Sequence, residues 1–392
     1  MGITFTSPLL YFILMPILIL FSMFLVSKLD FYKKVIDGED RGKFESLDGL
    51  RGFLALNVFF QHAVTTYFYF QNGIWQIVPV KFYRFLGGEA VILFFIMTSF
   101  LYWSKAIAQK GDLDAGSLYR SRFLRLVPMY LFTGVIIFFS IFIQSGFNID
   151  IVQTAKDVLS WSSLGLVTTT TVNNISLIPI NAGIHWTLSF EWFFYLLLPI
   201  LAIAIKRKEN LIMALPIAFF ALSSPDRGYW AIFFFGIIAA HIYVWIPKMK
   251  FFSRPIFSLI PLLGIVLVYY MNYKPFSFSQ YAVSLFVFLA FVYGADFFGL
   301  LRTRVVKFLG IMSYSIYLVH GIVLYAVFNT LDYYYPVTQL TPVNFWLFVT
   351  LAGFLTICVS ALTYRYIEHP FILRIKSKKP ETNQTTITDQ VM

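Results

Sequence analysis

Long apolar runs separated by short polar breaks recur along the chain from Leu9 to Leu362. Runs of bilayer length at this spacing predict transmembrane helices. Eleven can be placed, at Pro8–Ser27, Leu47–Phe68, Gly87–Ala106, Leu126–Ser145, Trp186–Ile205, Leu211–Ser224, Tyr229–Ile246, Pro255–Met271, Tyr281–Leu300, Phe308–Phe328 and Val343–Arg365. A transmembrane β-barrel would instead alternate apolar and polar positions in segments of about ten residues. The expected fold is therefore all-α, a polytopic transmembrane helical bundle. The longest stretch outside these helices, Gly146–His185, contains Trp161 and a Thr168–Thr171 run. A loop of that length in a compact protein is usually functional, as a cover over a cavity or an interfacial or re-entrant segment. No internal repeat of the transporter kind is visible.

Composition agrees: 59% of the 392 residues are hydrophobic and 12% charged, with a mean hydropathy of +0.74. A net charge of +11 raises nucleic acid as a partner, and the location of the basic residues decides against it. Of the 30 Lys and Arg, 24 fall in the segments 28–46, 101–125, 206–210, 247–254, 301–307 and 365–392, five on the opposite side, and Arg51 inside a helix. That asymmetry makes the first set cytoplasmic, with the N-terminus outside and the C-terminus inside. The charge thus reads as topology and contact with membrane lipid. No basic residue precedes the first apolar run, so an uncleaved helix is expected there. The single cysteine, Cys358, has no partner for an internal disulfide. Asn174-Ile-Ser176 and Asn383-Gln-Thr385 fit a glycosylation pattern. Residues 1–45 are expected to hold an extra N-terminal helix and a cytoplasmic linker, 46–371 the membrane domain, and 372–392 a polar, disordered tail.

Polar residues interrupt this pattern in a few places. The stretch "SLDGLRGFLALNVFFQHAV" carries Asp48, Arg51 and His62 into bilayer-grade sequence. On a helix, Arg51 and His62 differ by about 20° and Asp48 and His62 by about 40°, so the three share one stripe. The rise separates Arg51 from His62 by about 16 Å. Because ionisable groups are costly in hydrocarbon, the stripe should face the bundle interior or a cavity. Glu89, Glu191 and His320 can be placed at a similar outer depth to His62, His320 being twelve residues from the inner end of its predicted helix. Arg120, Arg122 and Arg125 join Arg51 near the cytoplasmic boundary. Asp48 and Arg51, three apart, also suit a pair with each other. Glu368 is expected to pair with Arg365, and His185 to lie at the outer interface.

The Arg51-x10-His62 spacing within "LDGLRG", the "LFFIMTSFL" helix, Arg122-x-x-Arg125 followed by Pro128, "WTLSFEWFFYLLLP" and "SYSIYLVH" occur together and in order. This set resembles the membrane-bound acyltransferase family 3, whose members include surface-polysaccharide O-acetyltransferases, from about Ser46 to Phe371. Helix Pro8–Ser27 looks like an addition to a ten-helix core. Where the family often has Ser-Gly, this chain has Thr98-Ser99, which removes a close-packing glycine. The resemblance implies transfer of an acyl group from cytoplasmic acyl-CoA, with acetyl-CoA the usual case, to a hydroxyl of a cell-envelope glycan or lipid-linked sugar, in a bacterial inner membrane. It implies no metal.

Such chemistry needs a base near neutral pH, and imidazole is the side chain best matched to that. His62 is the expected base, with Glu191, then Glu89, the candidates to orient it. Arg122 and Arg125, with Arg51, are expected to hold the CoA phosphates. His320, Tyr317, Trp186 and Asn57 are candidates to stabilise the oxyanion. Two rivals carry different expectations: a transporter whose polar-solute path these residues line, and a relay protein that passes acyl groups to a separate transferase.

Overall fold

The computed structural model describes residues 3–38, 44–148, 150–164, 167, 170–206, 227–246, 254–271 and 276–376. The predicted helix Leu211–Ser224, the Thr168–Thr171 run in part, and the tail beyond Lys376 lie outside them, while residues 372–376 of the expected disordered tail are helical. In chain order the α-helices are α1 Pro8–Lys28, α2 Asp30–Gly38, α3 Glu45–Asn72, α4 Lys81–Ala108, α5 Ala115–Gln144, α6 Ile151–Ser162, α7 Ile178–Asn181 and α8 His185–Lys206. They continue as α9 Arg227–Trp245, α10 Leu259–Tyr270, α11 Phe278–Tyr293, α12 Arg304–Ile311, α13 Ser313–Tyr334, α14 Pro342–Thr363 and α15 His369–Lys376. The fold is an all-α bundle. Seven described helices (α1, α4, α5, α8, α9, α13 and α14 with its continuation) are long and apolar enough to cross a membrane, and α10 and α11 are shorter apolar helices. The 28-residue α3 also has spanning length, its hydropathy lowered by the polar stripe.

The ends follow ordinary capping chemistry. Asp114, Ser277, Thr303 and Thr341 accept backbone N–H bonds at the starts of α5, α11, α12 and α14, and Gly73 closes α3 in the left-handed region at φ 71°. The Asp114 cap starts α5 eleven residues before the apolar run at Leu126. The predicted helix Phe308–Phe328 is in fact two, α12 and α13, separated at Met312. Close packing accompanies this break: a Cβ at Gly310 would lie 1.9 Å from the carbonyl oxygen of Asp48. Gly49 and Gly52 of α3 face the same region, so the backbones of α3 and α12 meet with no side chain between them.

Two apolar clusters form the core. One gathers α1, α12, α13 and α14 against Ala55, Phe59, Phe60 and Ala63 of α3. The other gathers α4, α8, α9 and α11 against Leu50, Leu54 and Val58 of the same helix. Helix α3 therefore stands between them, and Phe53, Phe94, Tyr314 and Tyr317 pack against both. Across α4 and α9, Gly236 supplies the close approach that Thr98-Ser99 does not: a Cβ there would lie 1.9 Å from Ser99 Oγ. Helix α1 packs on the periphery, exposing Leu9, Phe12, Leu20 and Phe24 while Leu18 lies against Gly353 of α14.

The segment Gly146–His185 is not an open loop. It folds as α6, a two-residue hairpin Thr171–Val172 with Ile175–Ser176, and α7. The hairpin turn uses Asn173 and Asn174, both at positive φ. Buried α7 packs against α13, where Gly321 leaves room for Asn181 and Ala182. This buries His185 within the protein, 8% exposed.

Candidate active site

Two cavities lie along the seam between the clusters. The first, about 570 Å³, is lined by residues that include Gln61, His62, Lys81, Arg84, Trp186 and Tyr229. The second, about 310 Å³, includes Arg51, Tyr102, Lys105, Arg122, Arg125 and Glu191. Val91 of α4 and Tyr317 of α13 line both, so these two side chains form part of the wall where the cavities meet. The Tyr317 hydroxyl is hydrogen bonded to Thr187 Oγ1 at 2.8 Å.

In the histidine-side cavity the key contact joins α3 to α13. His62 Nδ1 lies 2.8 Å from His320 Nε2. The ring planes differ by 10° and the centroids are 5.0 Å apart, as expected for imidazoles meeting edge to edge through that bond. His320 Nδ1 lies 3.1 Å from the Ile316 carbonyl oxygen, which can only accept. A neutral His320 therefore carries its proton on Nδ1 and accepts at Nε2, which requires His62 Nδ1 to donate. His62 Nε2 is left with a free lone pair. His320 is fully buried, whereas His62 reaches the cavity. The close packing that permits this includes Gly87, where a Cβ would lie 2.4 Å from Gln61 Oε1.

The second cavity gathers four cationic side chains against one carboxylate. Arg122 stacks on Tyr102 and Tyr195, its guanidinium carbon 4.9 and 5.8 Å from the ring centroids. Its Nε is buried without a hydrogen-bond partner among the described residues. Arg51 lies 3.7 Å from Asp48 and donates its Nε to Met97 Sδ at 3.3 Å, so the pair suggested by their spacing is present.

Several placements differ from the sequence expectation. Glu191 does not orient His62: its Oε1 accepts from Thr98 Oγ1 at 3.1 Å among the arginines. The reason is depth: Glu191 shares a helix face with Thr187, which meets Tyr317 at the shared wall, but stands one turn, about 6 Å, farther along α8 toward the arginines. Glu89 is also elsewhere, bonded by Gln280 Nε2 at 3.1 Å and Ser284 Oγ at 2.6 Å. Glu368 pairs with Ser315, not with Arg365, which stacks on Phe31 and Tyr366. A π-helical turn at Tyr364–Glu368 carries Glu368 inward, a feature no sequence period announces. Among the oxyanion candidates, Asn57 accepts from Tyr11 at 2.8 Å and lines neither cavity. Both His320 nitrogens are already engaged. Trp186 and Tyr317 line a cavity. Arg120 is exposed outside both cavities. Sequence reasoning missed Tyr102, Tyr195 and Thr98, whose apolar surroundings give them no distinguishing pattern.

No curated protein and no solved structure matches this chain significantly. A family model described as "Acyltransferase domain" matches residues 44–365, from just before α3 through the first residues of the π-helical turn, and so covers both cavities and leaves out α1 and α2. Together with the apolar bundle, that match means the chain belongs to acyltransferase family 3 and is a multi-pass membrane acyltransferase.

Proposed function

We propose that the protein is an O-acyltransferase that carries an acyl group, acetyl in the first instance, from cytoplasmic acyl-CoA to a hydroxyl of a sugar-containing acceptor on the opposite side of the membrane. The observation that carries this reading is the meeting of an arginine-rich cavity and a histidine-lined cavity at Val91 and Tyr317. Arg51, Arg122 and Arg125 suit the phosphates of CoA, and Tyr102 and Tyr195 hold Arg122 ready to receive them. Arg51 and His62 are about 16 Å apart along α3, within the reach of a phosphopantetheine arm. The excess of Lys and Arg in the segments on the arginine side supports a cytoplasmic assignment for that face. The C-terminus then lies in the cytoplasm, as in a bacterial inner membrane.

In the reaction, His62 Nε2 takes the acceptor's hydroxyl proton as its oxygen attacks the thioester carbonyl. His320 fixes the tautomer that leaves this nitrogen free. The Tyr317 hydroxyl donates to the developing oxyanion at the wall between the cavities. Collapse of the intermediate breaks the C–S bond, and the proton on His62 passes to the CoA sulfur, giving the ester and free CoA.

The test is an acetyl-transfer assay with radiolabelled acetyl-CoA in oriented vesicles supplied with an envelope-glycan extract. Product formed when donor is cytoplasmic and acceptor external supports the reading. Product formed only with both on the cytoplasmic side overturns transfer across the membrane. Two cavities separated by a thin wall also suit a solute path, so flux of a labelled sugar without acetyl-CoA would favour a transporter.

A further inference from the structure

The histidine-side cavity has a charge pattern that acyl transfer to a neutral hydroxyl does not require. Two cations from the first turn of α4, Lys81 and Arg84, line it, and among the described residues no aspartate or glutamate does. Lys81 is exposed, with its Nζ 4.9 Å from the centroid of the Tyr269 ring. Arg84 is half-buried and makes no ion pair or side-chain hydrogen bond among the described residues. The carboxylate nearest on the same helix, Glu89, does not line the cavity, and each of its oxygens already accepts a bond. A partly desolvated guanidinium with no counter-charge among the described residues favours an oxyanion ligand, which it can bind through two parallel N–H donors.

Another part of the lining is aromatic and suits a ring. Phe276 has a left-handed φ of 57°, and its N–H donates to Gln280 Oε1 at 3.0 Å. Gln280 is held in turn by Glu89 at 3.1 Å. This chain of bonds fixes Phe276 against Tyr229, with centroids 4.9 Å apart, and Tyr229 against Trp186 at 4.7 Å. Glu89 thus braces an aromatic wall facing the cavity.

We propose that the acceptor is an anionic saccharide, one whose phosphate or carboxylate docks on Arg84 with Lys81 while its ring lies against the Trp186–Tyr229–Phe276 wall and its hydroxyl reaches His62. This rests on the acceptor-side reading of the histidine cavity given above. Arg84 is a binding residue for the acceptor, remote from the donor phosphates.

The test is thermal unfolding of the full chain in zwitterionic-lipid nanodiscs, titrated with N-acetylglucosamine 1-phosphate, glucuronic acid, neutral N-acetylglucosamine, glycerol 3-phosphate and inorganic phosphate, with acetyl-CoA as a separate ligand. Bound ligands raise the midpoint in proportion to occupancy. At least one anionic sugar should bind about tenfold or more tightly than the neutral sugar, and which one does so tells phosphate from carboxylate. Arg84→Gln should remove that preference, Arg84→Lys retain part of it, and both should keep the midpoint shift with acetyl-CoA. The proposal is overturned if the sugars bind alike or not at all, if Arg84→Gln keeps the preference, or if glycerol 3-phosphate or inorganic phosphate binds as tightly as the anionic sugars, which marks a lipid-headgroup niche or a bare anion site. Loss of the acetyl-CoA shift in the wild type, with the anionic preference intact, would remove the acyl-CoA reading and leave the anion site standing.

Discussion

The two cavities share a wall but use opposite physics. On the arginine side the chemistry is charge: four cations, one carboxylate, and a guanidinium stacked between two tyrosines. On the histidine side it is hydrogen-bond direction: one carbonyl fixes one imidazole, which fixes the next. A charge-based site tolerates small displacements because Coulomb attraction falls off slowly. A proton-transfer site, the role proposed for His62, does not, since a shift of about 1 Å can cost a hundredfold in rate. Close approaches accordingly bracket the imidazole pair, with Gly87 of α4 against Gln61 of α3 and Gly321 of α13 against α7, while the arginines share a cavity of about 310 Å³ with one carboxylate among the described residues.

Mutations on either side should separate these behaviours. His62→Ala should lower turnover by about 10²–10⁴ while leaving acetyl-CoA affinity unchanged, measured as CoA release beside calorimetric binding. If affinity and rate fall together, the division between the cavities is wrong. Tyr317→Phe keeps the ring in the wall and removes its hydroxyl, so turnover should drop by about 10²–10³ with no change in donor binding. His320→Ala should cost about 10² in turnover, and His320→Gln, whose carbonyl can still accept from His62 Nδ1, should recover part of it. A merely structural role for His320 predicts no such difference between the two variants at equal stability. The double substitution Arg122→Ala/Arg125→Ala should weaken acetyl-CoA binding by about ten- to a hundredfold. Wild-type donor binding should also fall with added salt, because the site is electrostatic. Gly310→Ala should destabilise the fold by about 1–3 kcal/mol, read by chemical or thermal unfolding, because its Cβ meets the Asp48 carbonyl.

Much of this was legible before any coordinates. The apolar periodicity and charge asymmetry gave the helical bundle, and the shared stripe of Arg51 and His62 gave one helix linking two chemistries, because each is a property of a single segment. The pairing of His62 with His320 spans 258 positions, and each histidine could be placed at the right depth without the partner being named. Glu191 shows the converse. The depth expected from its sequence position suited it to His62, but it stands one turn along α8 past the shared wall, at Thr98 and the arginines. Glu368 was assigned to its nearest basic neighbour, and a π-helical turn sends it instead to Ser315.

The sequence by itself determined the membrane class, the order of the helices, the family, and the identity of the ionisable groups that hydrocarbon would not tolerate. Those follow from local hydropathy and spacing, where each residue's energetic preference stands largely alone. Tertiary structure decided which carboxylate meets which cation, which nitrogen of His62 is free, and where one cavity ends and the other begins. These depend on rotation and close approach of separate helices, set by glycine contacts, a helix break at Met312 and a π-helical turn, and a difference of one residue in phase moves a side chain by about 100°.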